Sequence, residues 1–72
     1  MEKIRFKELP VGTYFTRVTD RGTHNYYFKT EEVVTYSNGN DEVWVNAVMI
    51  QGSRTGSLEG FPDDTQVYAG II

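Results

Sequence analysis

The chain is predicted to be all-β, and three observations carry that prediction. Eight valines, four isoleucines and eight threonines are joined by ten aromatic residues, whereas leucine and alanine together number only four. Side chains branched at Cβ lose rotamer freedom in a helix but pack well on a pleated surface. Seven glycines against two prolines suit tight turns between short strands. No stretch repeats with a helical period, while several alternate with a period of two.

The elements follow in order. Ile4–Leu9 alternates Ile4 and Phe6 with Arg5 and Lys7, the pattern of an edge strand with its charges outward. Pro10-Val11-Gly12 turns the chain into a strand over Thr13–Val18, where either face suits burial. Asp20-Arg21-Gly22 is a second turn. Asn25–Thr30 is the next strand, with Tyr26 and Phe28 expected inside and Tyr27 and Lys29 outside. Glu31-Glu32 is expected to break or bulge the sheet before Val33–Tyr36. Asn38-Gly39 between apolar runs is a strong hairpin signal. The longest strand, Glu42–Gln51, follows it. Gly52–Ser57 forms a loop, Leu58–Phe61 a short strand, Pro62–Thr65 a turn, and Gln66–Tyr68 the closing strand before an apolar tail.

Seventy-two residues suit a single domain spanning 1–72. Five or six short strands with brief connections predict a meander closing into a small SH3-like barrel. Without cysteine there is no disulfide and no thiolate metal site, and no apolar run approaches the length of a membrane span. The chain is therefore expected to be soluble and cytoplasmic, and no cofactor or metal is expected.

Glu8-Leu9-Pro10-Val11-Gly12-Thr13-Tyr14-Phe15, then Phe28-Lys29-Thr30, Asn46-Ala47-Val48 and Phe61–Val67 form an ordered series across most of the chain. The series resembles a group of small uncharacterised phage and bacterial proteins. These share a Leu-x-x-Gly-x-x-Phe opening, a Lys-Thr pair, an Asn-Ala-Val strand and an Asp-rich closing turn. The chain departs from them by a longer hairpin between Thr30 and Asn46. The resemblance implies a phage or bacterial cytoplasmic origin and carries no functional residue over.

Catalytic chemistry is poorly supplied. His24 is the only histidine and sits beside a turn, and nothing in the spacing of Ser53, Ser57 and the aspartates builds a nucleophile with a base. Adjacent Asp63 and Asp64 point to opposite sides of an extended chain, so a shared proton or metal is not expected. The protein is read as a non-enzyme that works by binding.

Three binding surfaces are candidates. The loop Gly52-Ser53-Arg54-Thr55-Gly56 has two glycines that let amides converge on an anion, and Arg54 is the only basic residue after Lys29. A nucleic-acid surface would draw on Arg17, Arg21, Lys29 and Tyr27, with Tyr14 and Tyr26 nearby. Against it stands an isoelectric point near 4.9. The third is a self-contact. Glu42–Gln51 is apolar on both sides, with Val43, Val45, Ala47 and Met49 opposing Trp44, Val48 and Ile50. One core covers only one of those faces, so a homo-oligomer, most simply a dimer, is expected through Trp44, Val48 and Ile50.

Charge is segregated along the chain. Residues 1–29 carry six basic against three acidic side chains, and residues 30–72 carry Arg54 against seven acids. With the phage-type resemblance, these features suggest an accessory or counter-defence protein. It would occlude a host protein or sequester a small signalling ligand, with a nucleic-acid-binding module as the alternative.

Overall fold

The computed structural model describes residues 2–72. Six strands form one antiparallel sheet: β1 (Lys3–Arg5), β2 (Tyr14–Val18), β3 (His24–Ser37), β4 (Asp41–Gln51), β5 (Leu58–Glu59) and β6 (Gln66–Ala69). Their order is β1-β6-β2-β3-β4-β5, so β1 and β5 are free edges and the sheet does not close on itself.

The inner face carries the core. Phe6, Leu9, Phe15, Tyr27, Ala47, Met49, Phe61 and Val67 are buried together, with Ile4 packed against them. Its centre is aromatic. Phe15 stacks on Tyr27 at 5.1 Å between centroids, and Phe61 meets Tyr27 and Phe15 edge-on at 5.1 and 5.6 Å. Offset and edge-to-face pairs of this kind match the ring quadrupoles.

Three sequence expectations are corrected here. The first strand ends at Arg5, and Phe6–Glu8 is a 3-10 turn. Its cause is local. The Glu8 carboxylate accepts from the Arg5 backbone N–H at 3.1 Å and from Arg5 Nε at 3.2 Å, and the Leu9 N–H returns to the Phe6 carbonyl at 3.1 Å. The turn swings Phe6 and Leu9 over the core.

The second correction inverts β3. Tyr27 and Lys29 face inward, whereas Tyr26 and Phe28 are half-buried on the outer face. Lys29 is only 8% exposed, and its Nζ donates to the carbonyls of Phe6 and Leu9 at 2.8 and 2.6 Å. Two carbonyls and an aromatic ring compensate the ammonium for its lost water, so the lysine seals the core.

β3 runs unbroken past Glu31 and Glu32 because a bulge absorbs them. Lys29 pairs with Ala47 and Val33 with Val45, so three residues of β3 stand against Asn46 alone. An even excess keeps Val33 on the same face as Lys29. The turn that follows has Asn38 at φ 52° and Gly39 at φ 89°, the left-handed conformations that asparagine and glycine accept. Along β3, β2 covers only His24–Phe28, and along β4, β5 covers only Ala47–Val48. Beyond those limits Val33–Ser37 and Asp41–Trp44 continue as a two-stranded arm, and the molecule measures 40 × 24 × 19 Å.

β5 is shorter than the expected Leu58–Phe61. The Asn46 side chain takes over its pairing, with Nδ2 donating to the Phe61 carbonyl at 2.9 Å and Oδ1 accepting from the Phe61 N–H at 2.8 Å. Phe61 is thereby drawn into the core.

Candidate interaction surface

Cross-strand partners point to the same side of a sheet. Tyr14 pairs with Phe28, Phe28 with Val48 and Val48 with Leu58, so an apolar row crosses four strands on the outer face. Tyr14 and Phe28 meet edge-on at 5.1 Å. Along the arm the same face carries Val34 opposite Trp44 and Tyr36 opposite Glu42. Trp44 is 56% exposed and Tyr36 66%, with Leu58 and Ile50 also exposed.

Only one end of this face is covered. Gly70–Ile72 lies across β2, where Thr16 Oγ1 donates to the Gly70 carbonyl at 2.7 Å and Tyr26 Oη donates to the Ile72 oxygen at 2.9 Å. A groove of about 500 Å³ beside it, lined by Ile4, Leu9, Pro10, Tyr14 and Ile71, extends the apolar surface.

The expected interface residues Trp44, Val48 and Ile50 therefore share one face, with Val48 half-buried between two exposed neighbours. Sequence reading missed Val34, Tyr36 and Leu58 as their companions. The signal was present in the alternation of Val33–Tyr36 but needed the register with Glu42–Val45 to be read.

The loop Gly52–Gly56 is a closed connection. The Arg54 N–H points at Met49 Sδ (3.3 Å), the Gly56 N–H donates to the Met49 carbonyl at 2.7 Å, and the Ser57 N–H donates to the Arg54 carbonyl at 2.9 Å. Thr55 Oγ1 donates to the Gly52 carbonyl at 3.1 Å. Three amides and a hydroxyl are thus committed within the loop and its adjoining strand. Ser53 and Arg54 are exposed.

The nucleic-acid set is dispersed. Arg17 is exposed on the inner face with its guanidinium 5.3 Å from the Phe61 ring, and Arg21 lies in the turn before β3. Tyr27 and Lys29 are buried. Burial and then the neighbouring Glu59 carboxylate push the Tyr27 phenol above its ordinary value, with Arg17 opposing. Burial pulls Lys29 below the usual lysine value, partly offset by Asp63. His24 is exposed at the start of β3, edge-on to Tyr26 at 6.4 Å. Asp64 stands 4.0 Å from both Arg5 and Lys7 at the surface, and the Asp63 carbonyl accepts from the Lys7 N–H at 3.0 Å.

No protein-family model, curated protein or solved structure matches this chain.

Proposed function

We propose that the chain is a non-catalytic binding protein that works through the outer face of its sheet, and that the first occupant of that face is a second copy. The observation that carries this reading is the exposed row from Trp44 and Val34 on the arm to Val48 and Leu58 on the body. Apolar surface of that extent on a small domain marks an interface.

Charge favours a self-contact. Glu31, Glu32, Asp41 and Glu42 surround the arm, whereas Lys3 stands at the far edge of the sheet beside Arg5, which Glu8 and Asp64 already engage. A two-fold arrangement lays each acidic arm toward Lys3 of the other copy. The two longer dimensions of the molecule, 40 and 24 Å, leave room on one side for the roughly 800 Å² per partner of a standard interface.

The wider reading is a phage-type accessory or counter-defence protein of the bacterial cytoplasm that occludes a host protein with this face. An SH3-like fold belongs to the same proposal, supported by the short β1, β2, β5 and β6, the 3-10 turn over the core and the two bulges in the β3–β4 pair. Anion sequestration at Gly52–Gly56 has less support, because that loop's amides at Arg54, Gly56 and Ser57 are already engaged. Nucleic-acid binding loses Tyr27 and Lys29 to the core.

Light scattering after gel filtration tests the self-contact. A dimer mass at tens of micromolar is expected. A monomer mass there, with Trp44 emission that concentration does not change, would remove the second copy as occupant.

A further inference from the structure

The outer face carries a large protruding side chain and, two strands away, an apolar groove. Trp44 is the only tryptophan of the chain and is 56% exposed on β4. The groove of about 500 Å³ opens at the start of β2, beside the Gly70–Ile72 segment. Ile4, Leu9, Pro10, Tyr14 and Ile71 wall it, and none of the residues lining it is charged. Pockets that take small ligands span roughly 300–1,000 Å³, so the groove is large enough for an indole ring.

Chemistry matches as well as size. An indole needs apolar walls around its rings and an acceptor for its N–H. Tyr14 is half exposed and supplies an aromatic wall. Thr13 lies in the lining and spends its hydroxyl hydrogen on the Pro10 carbonyl at 2.7 Å, which leaves its oxygen lone pairs to accept. Charge is complementary too. Asp41 and Glu42 precede Trp44 on β4, whereas Lys3 precedes Ile4 of the groove wall, with its Nζ 5.7 Å from the centre of the Tyr68 ring.

The sheet order supplies the symmetry. β3 lies between β2, where the groove opens, and β4, where Trp44 stands. A two-fold axis lying in the contact plane over β3 carries each Trp44 to the β2 side of the other copy, so one contact forms twice.

We propose that Trp44 of one copy anchors in the groove at Tyr14 and Ile71 of a second copy, and that the exchange is reciprocal. The proposal rests on the self-contact through the outer face and names its anchor. Aromatic side chains seated in pockets carry a large share of the energy of an interface.

Two variants test it in mixture, with native mass spectrometry resolving the species by mass. Trp44→Ser keeps the groove and loses the anchor, whereas Ile71→Lys keeps the anchor and sets a charge in the groove wall. Ile71 is 52% exposed, so its substitution leaves the core untouched. Ala69→Glu is a second groove variant should Ile71→Lys loosen the tail. Each variant alone should associate at least about tenfold more weakly than the parent. The mixed dimer retains one anchor in one intact groove, so it should form at least about tenfold more tightly than either variant with itself. A parent dimer whose mixed species falls between the two variants in strength sets Trp44 against Trp44, which overturns the anchor and leaves the outer-face contact standing. A parent that stays monomeric at tens of micromolar removes the outer-face contact, and the anchor with it.

Discussion

The Lys29 ammonium donates to the Phe6 carbonyl at 2.8 Å and lies 4.2 Å from the centroid of the Phe6 ring. One side chain thus holds both the backbone and the ring of a residue 23 positions away. The backbone of Lys29 tightens the same connection, since its N–H donates to Thr13 at 2.9 Å and its carbonyl accepts from Gly12 at 2.8 Å.

Lys29→Met keeps most of the buried volume but removes both charge-assisted hydrogen bonds. The expected loss is about 2–4 kcal/mol in urea unfolding, the range for breaking a buried charged contact. The pH dependence has a definite sign. Burial lowers the Lys29 pKa below 10.5, so the unfolded chain binds more protons between the lowered value and 10.5. Stability should therefore rise with pH through the part of that window below 10.0, before Tyr27 begins to oppose it. Lys29→Met should lack that rise; an identical alkaline slope in the variant contradicts the assignment.

Asn46 makes a prediction of a different kind. Its amide substitutes for a strand residue toward Phe61, and Asn46→Ala leaves the Phe61 N–H and carbonyl unpaired in a half-buried setting. A loss of about 1–3 kcal/mol is expected. Gly60→Ala should be comparably harmful, because its Cβ would collide with the Trp44 carbonyl. Unfolding midpoints within error of the parent for both would show that Phe61 is held by packing alone.

Sequence reading captured what depends on neighbours along the chain and missed what depends on distant partners. Asn38-Gly39 announces its hairpin because left-handed conformations are a property of those two residues. The alternation of Glu42–Gln51 likewise fixes Trp44, Val48 and Ile50 on one side. Tyr26-Tyr27-Phe28-Lys29 has aromatics on both sides, and a lysine ordinarily faces water. The structure chooses otherwise because the Phe6 and Leu9 carbonyls wait across the core. The groove walled by Ile4, Leu9, Tyr14 and Ile71 was illegible for a related reason: its walls meet through the β1–β6 and β2–β6 pairings and the 3-10 turn.

Acid sensitivity should trace in part to Glu8. Hydrogen bonds from the Arg5 backbone and side chain hold its carboxyl below the ordinary value of 4.5. A depressed carboxylate contributes stability that is present above 4.5 and lost as pH falls through the folded-state value. Glu8→Gln should flatten the acid limb of a stability–pH curve by lowering stability near neutrality, the parent and variant curves converging at low pH where the Glu8 carboxyl is protonated. Parallel acid limbs for parent and variant would place the sensitivity elsewhere.

The outer face supplies the last prediction, with Trp44 as its reporter. The indole is 56% exposed in a single chain, so its emission should be red-shifted at nanomolar concentration and move to the blue as copies associate. Val48→Lys sets a charge in the middle of the apolar row between Phe28 and Leu58. Desolvating that ammonium at a contact should weaken association at least about tenfold. Trp44→Ser separates association from folding, because an exposed arm residue contributes within about 0.5 kcal/mol to the stability of one chain. The expected pattern is a monomer mass by light scattering for both variants, with the urea midpoint of Trp44→Ser, extrapolated to low protein concentration, unchanged. Dimers that survive both substitutions would move the contact off this face.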